Sequence, residues 1–317
     1  MITSIISAII AHTSFLITTH ENPDGDAIGS SLALANYLQR LGKEVTIFFC
    51  DPVPEIYSFL PLAGQVVHTI PERRYDVCFV LDVGEFRRAG KELEAFNGID
   101  TFINVDHHLL CEPFGSINLI DPQASATGAL IYRIITAAGG GIDYDTALCI
   151  YTAVITDTGS FRYANANPEA FAIAGEMVSK GVNTWSVAEK LYESQPRQRL
   201  ELLALALATF SISPLGDYAS VAVTQEMYES TGSDAELTDG FVNYPRSIAG
   251  VEVAIFFREI RAGQFKVGFR SKGHVDVSAL AAAFGGGGHH NAAGCNVSGT
   301  LEEVRIKVFT HLEKVLH

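Results

Sequence analysis

FLITTHENPDGD, residues 15–26, decides the fold. Its first five residues are β-rich and stop at His20, and a glycine-containing loop follows. Beyond that loop a helical spacing runs through Ile28, Leu32, Leu34, Leu38 and Leu41, and Gly42 sits where a helix-ending glycine belongs. Residues 45–49 read as the next strand. Two further short apolar runs, residues 77–81 and 101–105, end at Asp82 and at Asp106-His107-His108. Strands alternating with helices imply a mostly parallel sheet covered on both faces. In such a sheet ligands bind outside the carboxyl ends of the strands. Three of these strand ends carry His or Asp, which is the first pointer to function.

Downstream, residues 126–138 read as a helix running into three glycines, and residues 145–156 as a nearly all-apolar, buried helix. Asp157 lies at or just past the end of the second. A carboxylate there faces the negative end of the helix dipole, unfavourable by some tenths of a kcal/mol or more, so something positive must offset it. Two more helical stretches fall within residues 165–210. The pattern then changes. Residues 218–224, 251–258 and 264–270 have strand character, the last two joined as a hairpin through Ala262-Gly263. Residues 278–284 are helical and run into the glycines 285–288, and residues 294–297 form a short strand. Thr300 and Glu303 make a capping box for a final helix through Val304, Val308, Leu312 and Val315. At the other end, Ile2, Ile5, Ile6, Ile9 and Ile10 have the spacing of an amphipathic helix packed on a core. Neither a signal peptide nor a membrane span is expected there.

The fold expected is therefore α/β. An N-terminal parallel sheet is sandwiched by helices, a smaller C-terminal mixed-sheet α/β domain follows, and the active site lies in the cleft between them. The boundaries read as a catalytic domain over residues 1–188, a helical linker over 189–211 and a second domain over 212–317.

Composition narrows the function. Of the 317 residues 48% are hydrophobic, enough for sizeable cores. With 22 basic against 36 acidic residues the net charge is −14, which makes the chain a poor general binder of long nucleic acid, duplex included. A short anionic substrate held at one local site remains compatible. Cys50, Cys78, Cys111, Cys149 and Cys295 are scattered and form no C-x-x-C, which points to a reduced, cytoplasmic compartment.

Taken singly, the polar strand ends are ambiguous. His20, Asp24 and Asp26 offer three potential ligands within seven residues, yet such a loop also serves at many protein surfaces. Asp82 alone reads as a turn former. Taken together with Asp106-His107-His108 and Asp157, they supply carboxylates and imidazoles that can meet at one sheet edge. These donors suit manganese, magnesium, iron or zinc, and the carboxylate-rich balance favours the harder ions. Asp24, Asp26, Asp82 and Asp157 match the charge of two divalent cations. Without metal they would repel one another strongly. A two-metal site activates a bridging water and clamps phosphoryl oxygens.

The order H-x-x-x-D-x-D, strand-end Asp, Asp-His-His and T-D-T-G resembles the DHH phosphoesterases. Gly286-Gly287-Gly288-His289-His290-Asn291-Ala292-Ala293-Gly294 is similar to the G-G-G-H-x-x-A-A-G signature of the DHH-associated C-terminal domain. Within the family, the short two-domain layout resembles the bacterial oligoribonucleases that also remove a phosphate from 3′-phosphoadenosine 5′-phosphate (pAp). The resemblance implies two Mn²⁺ ions. His20, Asp24 and Asp82 would hold one; Asp26, Asp82, His107 and Asp157 the other, with Asp82 bridging. It also implies an orienting role for Asp106 and a substrate-facing His108, as a phosphate contact or an acid. Arg270, Ser271, Gly286, Gly287, Gly288 and His289 would bind substrate. Arg162, beside Asp157, is a weaker candidate for the same cleft. The substrates implied are very short RNA and small phosphorylated nucleotides, with no membrane partner and with room for a homodimer.

Rival readings are an exopolyphosphatase or pyrophosphatase, a linear or cyclic dinucleotide phosphodiesterase, and a non-catalytic nucleotide-binding module. The first shares the metal motifs, but the G-G-G-H-x-x-A-A-G segment argues against it. The last would be expected to have lost ligands, and none is missing.

Overall fold

A computed structural model of the chain describes residues 1–316, with the backbone alone at His289. The chain divides after Ser194 into two compact units. The division falls inside the stretch read as a linker, and the helix in that stretch belongs to the second unit.

The first unit runs α1 (Ile2–Ala11), β1 (Ser14–Thr18), α2 (Gly25–Arg40), β2 (Glu44–Ile47), β3 (Tyr75–Leu81), α3 (Lys91–Ala95), β4 (Ile99–Asp106), β5 (Ile117–Ile120), α4 (Thr127–Ala137), α5 (Tyr144–Asp157), α6 (Pro168–Ser179) and α7 (Thr184–Ala188). Its strands form a wholly parallel sheet in the order β2-β1-β3-β4-β5. Chain progression reverses between β1 and β3, since β2 lies on one side of β1 and all later strands on the other. Such a switch point opens a crevice at the carboxyl edge.

Alternation along the strands separates two layers. Phe15, Ile17, Val77, Phe79, Leu81, Ile103 and Val105 pack in the main core with residues of α1, α2, α4 and α5. Leu16, Cys78 and Val80 face a thinner layer with Ala89 and Leu93, supplied by a short 3₁₀ turn and by α3, and Tyr75 at the start of β3 joins that layer out of alternation. Both faces are covered as expected, but unequally. In α1 only Ile5 and Ile9 are fully buried, and Ile10 is exposed, so the buried stripe is narrower than the spacing suggested.

The contact between α2 and α5 brings the functional ends together. Gly25 and Gly29, one turn apart on α2, let α5 approach closely. A Cβ on Gly25 would stand 2.4 Å from Thr156 Oγ1, and one on Gly29 would stand 2.6 Å from the Cys149 carbonyl oxygen. On α4, a Cβ at Gly128 would stand 2.4 Å from that of Ala153. No element of the sequence reading anticipated this seam, because glycine inside a helix signals weakness until its neighbour is known.

The second unit contains α8 (Arg197–Ala208), β6 (Ser211–Ile212), β7 (Tyr218–Val223), α9 (Gln225–Thr231), α10 (Asn243–Arg246), β8 (Val253–Arg261), β9 (Gln264–Ser271), α11 (Val277–Ala282), β10 (Gly287–His289), β11 (Ala292–Ser298) and α12 (Leu301–Leu316). Its mixed sheet has the order β10-β11-β9-β8-β7-β6, parallel only between β7 and β8. The β8–β9 hairpin and the Thr300–Glu303 capping box form as read: Thr300 Oγ1 accepts from the Glu303 N–H, and Glu303 accepts from the Thr300 N–H. The glycine run was given no strand in the sequence reading. It forms β10, hydrogen-bonded to β11, and Gly286 and Gly288 are required by close backbone approach. A Cβ at Gly287, by contrast, meets nothing within 4 Å. Among the described residues no helix is long and apolar enough to cross a membrane.

The seam predicts opposite outcomes for two Gly→Ala changes. Gly29→Ala should destabilise the protein by about 1–3 kcal/mol through overpacking. Gly175→Ala, within α6 and facing open space, should stabilise it by about 0.4–1 kcal/mol through the unfolded chain. Urea unfolding of both variants checks this.

Candidate active site

The donors gather at the carboxyl edge of the parallel sheet, around the β1/β3 switch. His20 follows β1, and Thr19 Oγ1 donates to the Leu81 carbonyl at 2.8 Å, holding the ends of β1 and β3 side by side. Asp24 caps α2, its Oδ1 accepting from the Asp26 and Ala27 N–H groups. Asp26, one residue into the helix, is buried. Asp82 ends β3 with a φ of +63°, a left-handed turn that Asp tolerates better than most residues.

The imidazoles are oriented by main-chain acceptors. His20 Nδ1 lies 2.8 Å from the Glu21 carbonyl oxygen and His107 Nδ1 lies 3.2 Å from that of Ala124. A carbonyl only accepts, so Nδ1 carries the hydrogen and Nε2 presents the lone pair. His20 Nε2 lies 4.0 Å from Asp24 and 3.8 Å from Asp82. His107 Nε2 lies 3.7 Å from Asp26, 3.7 Å from Asp82 and 3.6 Å from Asp157. Lone pairs therefore face carboxylate oxygens, an arrangement that repels unless a cation lies between.

Three donor groups result, the atoms of each within 4.8 Å of one another: His20, Asp24 and Asp82; Asp26, His107 and Asp157; and Asp82, His107 and His108. In the third, His108 Nδ1 already donates to Asp106 Oδ1 at 2.7 Å, so that nitrogen has no lone pair for an ion. The other two groups consist of residues that the resemblance names as ligands, the second without Asp82, whose Oδ1 lies 3.7 Å from His107 Nε2. Nitrogen and carboxylate donors of this kind fit divalent ions.

Electrostatics point the same way. Burial, then the charges of Asp82, Asp157 and Asp24, hold the Asp26 carboxyl well above its ordinary range. Burial and Asp24 raise Asp82 against the opposing pull of His108 and His107. Asp157 is pushed up to about 7, by burial first and then, despite His107, by Asp82 and Asp24. Asp106 behaves differently. Burial alone would raise it, but hydrogen bonds from the His108 ring and N–H hold it below the usual range. His108 is raised to about 9: burial opposes the shift, and Asp106, Asp82 and Asp157 overcome it. The shift favours the protonated ring.

Several contributors escaped the sequence reading. The Thr127 N–H donates to Asp26 Oδ2 at 2.6 Å, the Gly128 N–H to Asp26 Oδ1 at 2.8 Å, and Thr127 Oγ1 to Asp82 at 3.0 Å. The N-terminus of α4 therefore holds both central carboxylates, with the favourable end of its dipole toward them. After Asp157 the chain reverses through Gly159, Ser160 and Phe161, all left-handed at φ +55°, +61° and +61°. For the two non-glycine residues this costs about 1–2 kcal/mol each. The reversal returns Asn165 to Asp157, where its Nδ2 lies 2.9 Å from Oδ2.

In the second unit, Ala292 pairs with both Arg270 and His289, so β9 and β10 stand level at one sheet end. Arg270 is half-buried, with Nη1 donating to the Phe269 carbonyl. Ser271 is buried, its hydroxyl donating to Asn291. The role expected of the His289 side chain lies outside the described residues.

The model of the DHH family's N-terminal domain matches residues 14–154, and that of the DHHA1 domain matches residues 219–316. The chain belongs to the DHH family. It is a phosphoesterase, a hydrolase of phosphoester bonds. A Thermus thermophilus relative named bifunctional oligoribonuclease and PAP phosphatase NrnA is 34% identical over 89% of this chain and 84% of its own. The Bacillus subtilis protein of that name is 26% identical over 96% of each. The crystal structure of an exopolyphosphatase-related protein from Bacteroides fragilis is similar over 99% of this chain and 95% of that one, with a TM-score of 0.92 and 32% identity. RecJ from Thermus thermophilus, solved with Mn²⁺, shares the fold at a TM-score of 0.52 and 13% identity, over 99% of this chain and 53% of RecJ.

The raised Asp157 pKa has a sign that can be tested. A carboxyl raised in the folded state adds stability below its unfolded value near 4, and that contribution is lost as pH climbs through about 7. Metal-free protein should therefore gain stability from Asp157→Asn at pH 7.5 and little at pH 5. Added divalent ion should stabilise the wild type more at pH 7.5 than at pH 5. Urea midpoints at the two pH values, with and without ion, measure both effects.

Proposed function

We propose that the chain is a two-metal hydrolase that degrades very short RNA to mononucleotides and also removes a phosphate from pAp. The carrying observation is the pair of donor groups, His20/Asp24/Asp82 and Asp26/His107/Asp157, that meet at Asp82. In this reading His20, Asp24 and Asp82 hold one Mn²⁺, and Asp26, Asp82, His107 and Asp157 the other. The ions, when bound, supply an activated water and neutralise the phosphoryl oxygens.

The chain's own residues do the rest. Asp82 would serve both ions, and its carboxylate is kept in place by Thr127 Oγ1. Asp106 fixes the His108 ring and favours its protonated form, so His108 can hold a phosphoryl oxygen or give a proton to the leaving oxygen. Asp24, 60% exposed at its side chain, marks the open side from which substrate approaches. Arg270, Ser271, Gly286, Gly287, Gly288 and His289 are assigned to substrate. Gly287, bare of any packing reason, is the glycine best suited to close approach by a phosphate. The names of the Thermus and Bacillus relatives support this substrate class. The cytoplasm, where its free cysteines stay reduced, is the compartment we assign.

The test is a substrate panel with Mn²⁺: RNA of two to five nucleotides, an RNA 20-mer, pAp, a linear dinucleotide product of a cyclic dinucleotide, and pyrophosphate. Short RNA and pAp should turn over, the 20-mer much more slowly, and excess chelator should abolish all activity. Asp82→Ala should retain less than a tenth of the rate. Preference for pyrophosphate, or turnover in chelator, would overturn the reading.

Arg270→Ala separates binding from chemistry. Loss of a charge-assisted phosphate contact should lower kcat/KM by about 1.5–3 kcal/mol, with metal content unchanged. Metal analysis beside steady-state kinetics decides it.

A further inference from the structure

Asp157 and the segment after it lie beyond the residues matched by the family's N-terminal model, which ends at 154. What holds Asp157 in place must therefore be read from its surroundings. It is the last residue of α5, where the helix presents unpaired carbonyls and the negative end of its dipole. A carboxylate there tends to swing away toward solvent. It does not, because Asn165 reaches back to it.

The Asn165 amide nitrogen has three acceptors: Asp157 Oδ2 at 2.9 Å, the Asp157 carbonyl oxygen at 3.2 Å and the Ser125 carbonyl oxygen at 2.9 Å. Every partner is an acceptor, so the amide orientation is unambiguous. Its other end has no such reward, since Asn165 Oδ1 is buried without a hydrogen-bond partner. An apolar side chain of similar size would avoid that orphaned oxygen. Asparagine is therefore of use here through its N–H donors. The left-handed reversal at residues 159–161 exists where the chain must double back to deliver them. Two residues on, Asn167 caps α6 and donates to the Gln123 carbonyl, so the returning strand is tied to the segment before α4 at two points.

We propose that Asn165 is the positioning residue of the second metal site, clamping the Asp157 carboxylate and backbone together so that Oδ2 stays aimed at His107 Nε2 and the ion they share. This rests on the two-metal reading above. Asn165 contacts neither substrate nor ion; it acts through Asp157. Neutral amide donors suit that task, because they orient a carboxylate without removing the charge an ion needs.

The test is titration of metal-free, full-length protein with Mn²⁺ alone, followed by calorimetry and by the electron paramagnetic resonance signal of free Mn²⁺. The chains compared are wild type, Asn165→Leu, Asn165→Ala, Asp157→Ala and Asp157→Ala/Asn165→Leu. Wild type should take up two equivalents. Asn165→Leu keeps the branched four-atom layout and removes the orphaned oxygen, yet should weaken one equivalent by about 10–100-fold and leave the other within about threefold. Asn165→Ala should match it. In the Asp157→Ala background Asn165→Leu should change nothing further. Wild-type affinity at both sites in Asn165→Leu overturns the proposal, as does an undiminished effect of that change without Asp157. If Asn165→Ala fails to fold, Asn165→Leu alone decides between these outcomes. A wild-type chain that binds fewer than two equivalents overturns the two-metal reading, and this inference with it.

Discussion

Mutual repulsion among Asp26, Asp82 and Asp157 is the constraint around which the first unit is built. Three carboxyls whose acidity is weakened by burial and by one another stand together at the edge of a parallel sheet. A loosely packed site would relieve that repulsion by spreading. This one is prevented from spreading on each side. The glycine seam fixes α2 against α5, the start of α4 grips Asp26 and Asp82, and Asn165 grips Asp157. Rigid scaffolding around unfavourable charge is how a site stays ready for a cation.

The two histidines that face the carboxylates are arranged by the same logic. Main-chain carbonyls at Glu21 and Ala124 fix the tautomers of His20 and His107. His108 is instead set by a carboxylate, Asp106, which favours its protonated form. One tripeptide thus supplies an orienting acid, a lone-pair donor and a positive donor, three electrostatic roles from adjacent residues. The alternation of β4 and the turn after it send the side chains in different directions.

Much of this was legible in the sequence, for a physical reason. Parallel strands buried on both faces write themselves as short apolar runs, and polar residues at their ends stand out against them. Five of the six donors were found that way, and Asp157 stood out at the end of a nearly all-apolar helix. What was not legible depends on tertiary neighbours. Thr127 looks like an ordinary helix start, and its value appears only when Asp26 is seen to accept its N–H. Asn165 sits in a polar stretch that any surface loop could show. Strand β5 is only four residues long and half-buried, so its pattern is faint. Strand β10, at residues 287–289, went unread because glycines carry no strand propensity and its pairing with β11 is a tertiary contact. Ile10 fitted the helical spacing yet lies outside the buried stripe, since periodicity sets direction and not the width of the partner surface.

The strand order has a consequence in time as well as in space. The sheet starts at β1, places β2 on one flank and then builds outward through β3, β4 and β5 on the other. His20, Asp24 and Asp82 are therefore all synthesised before the long apolar helix α5 exists. Asp157, at the end of that helix, comes last, and Asn165 later still. A chain on the ribosome that stops short of residue 157 holds every donor of the first group and an incomplete second one. The donors of the two groups are thus completed in a fixed order during synthesis, and the repulsive three-carboxyl cluster needs α5 docked on the glycines of α2.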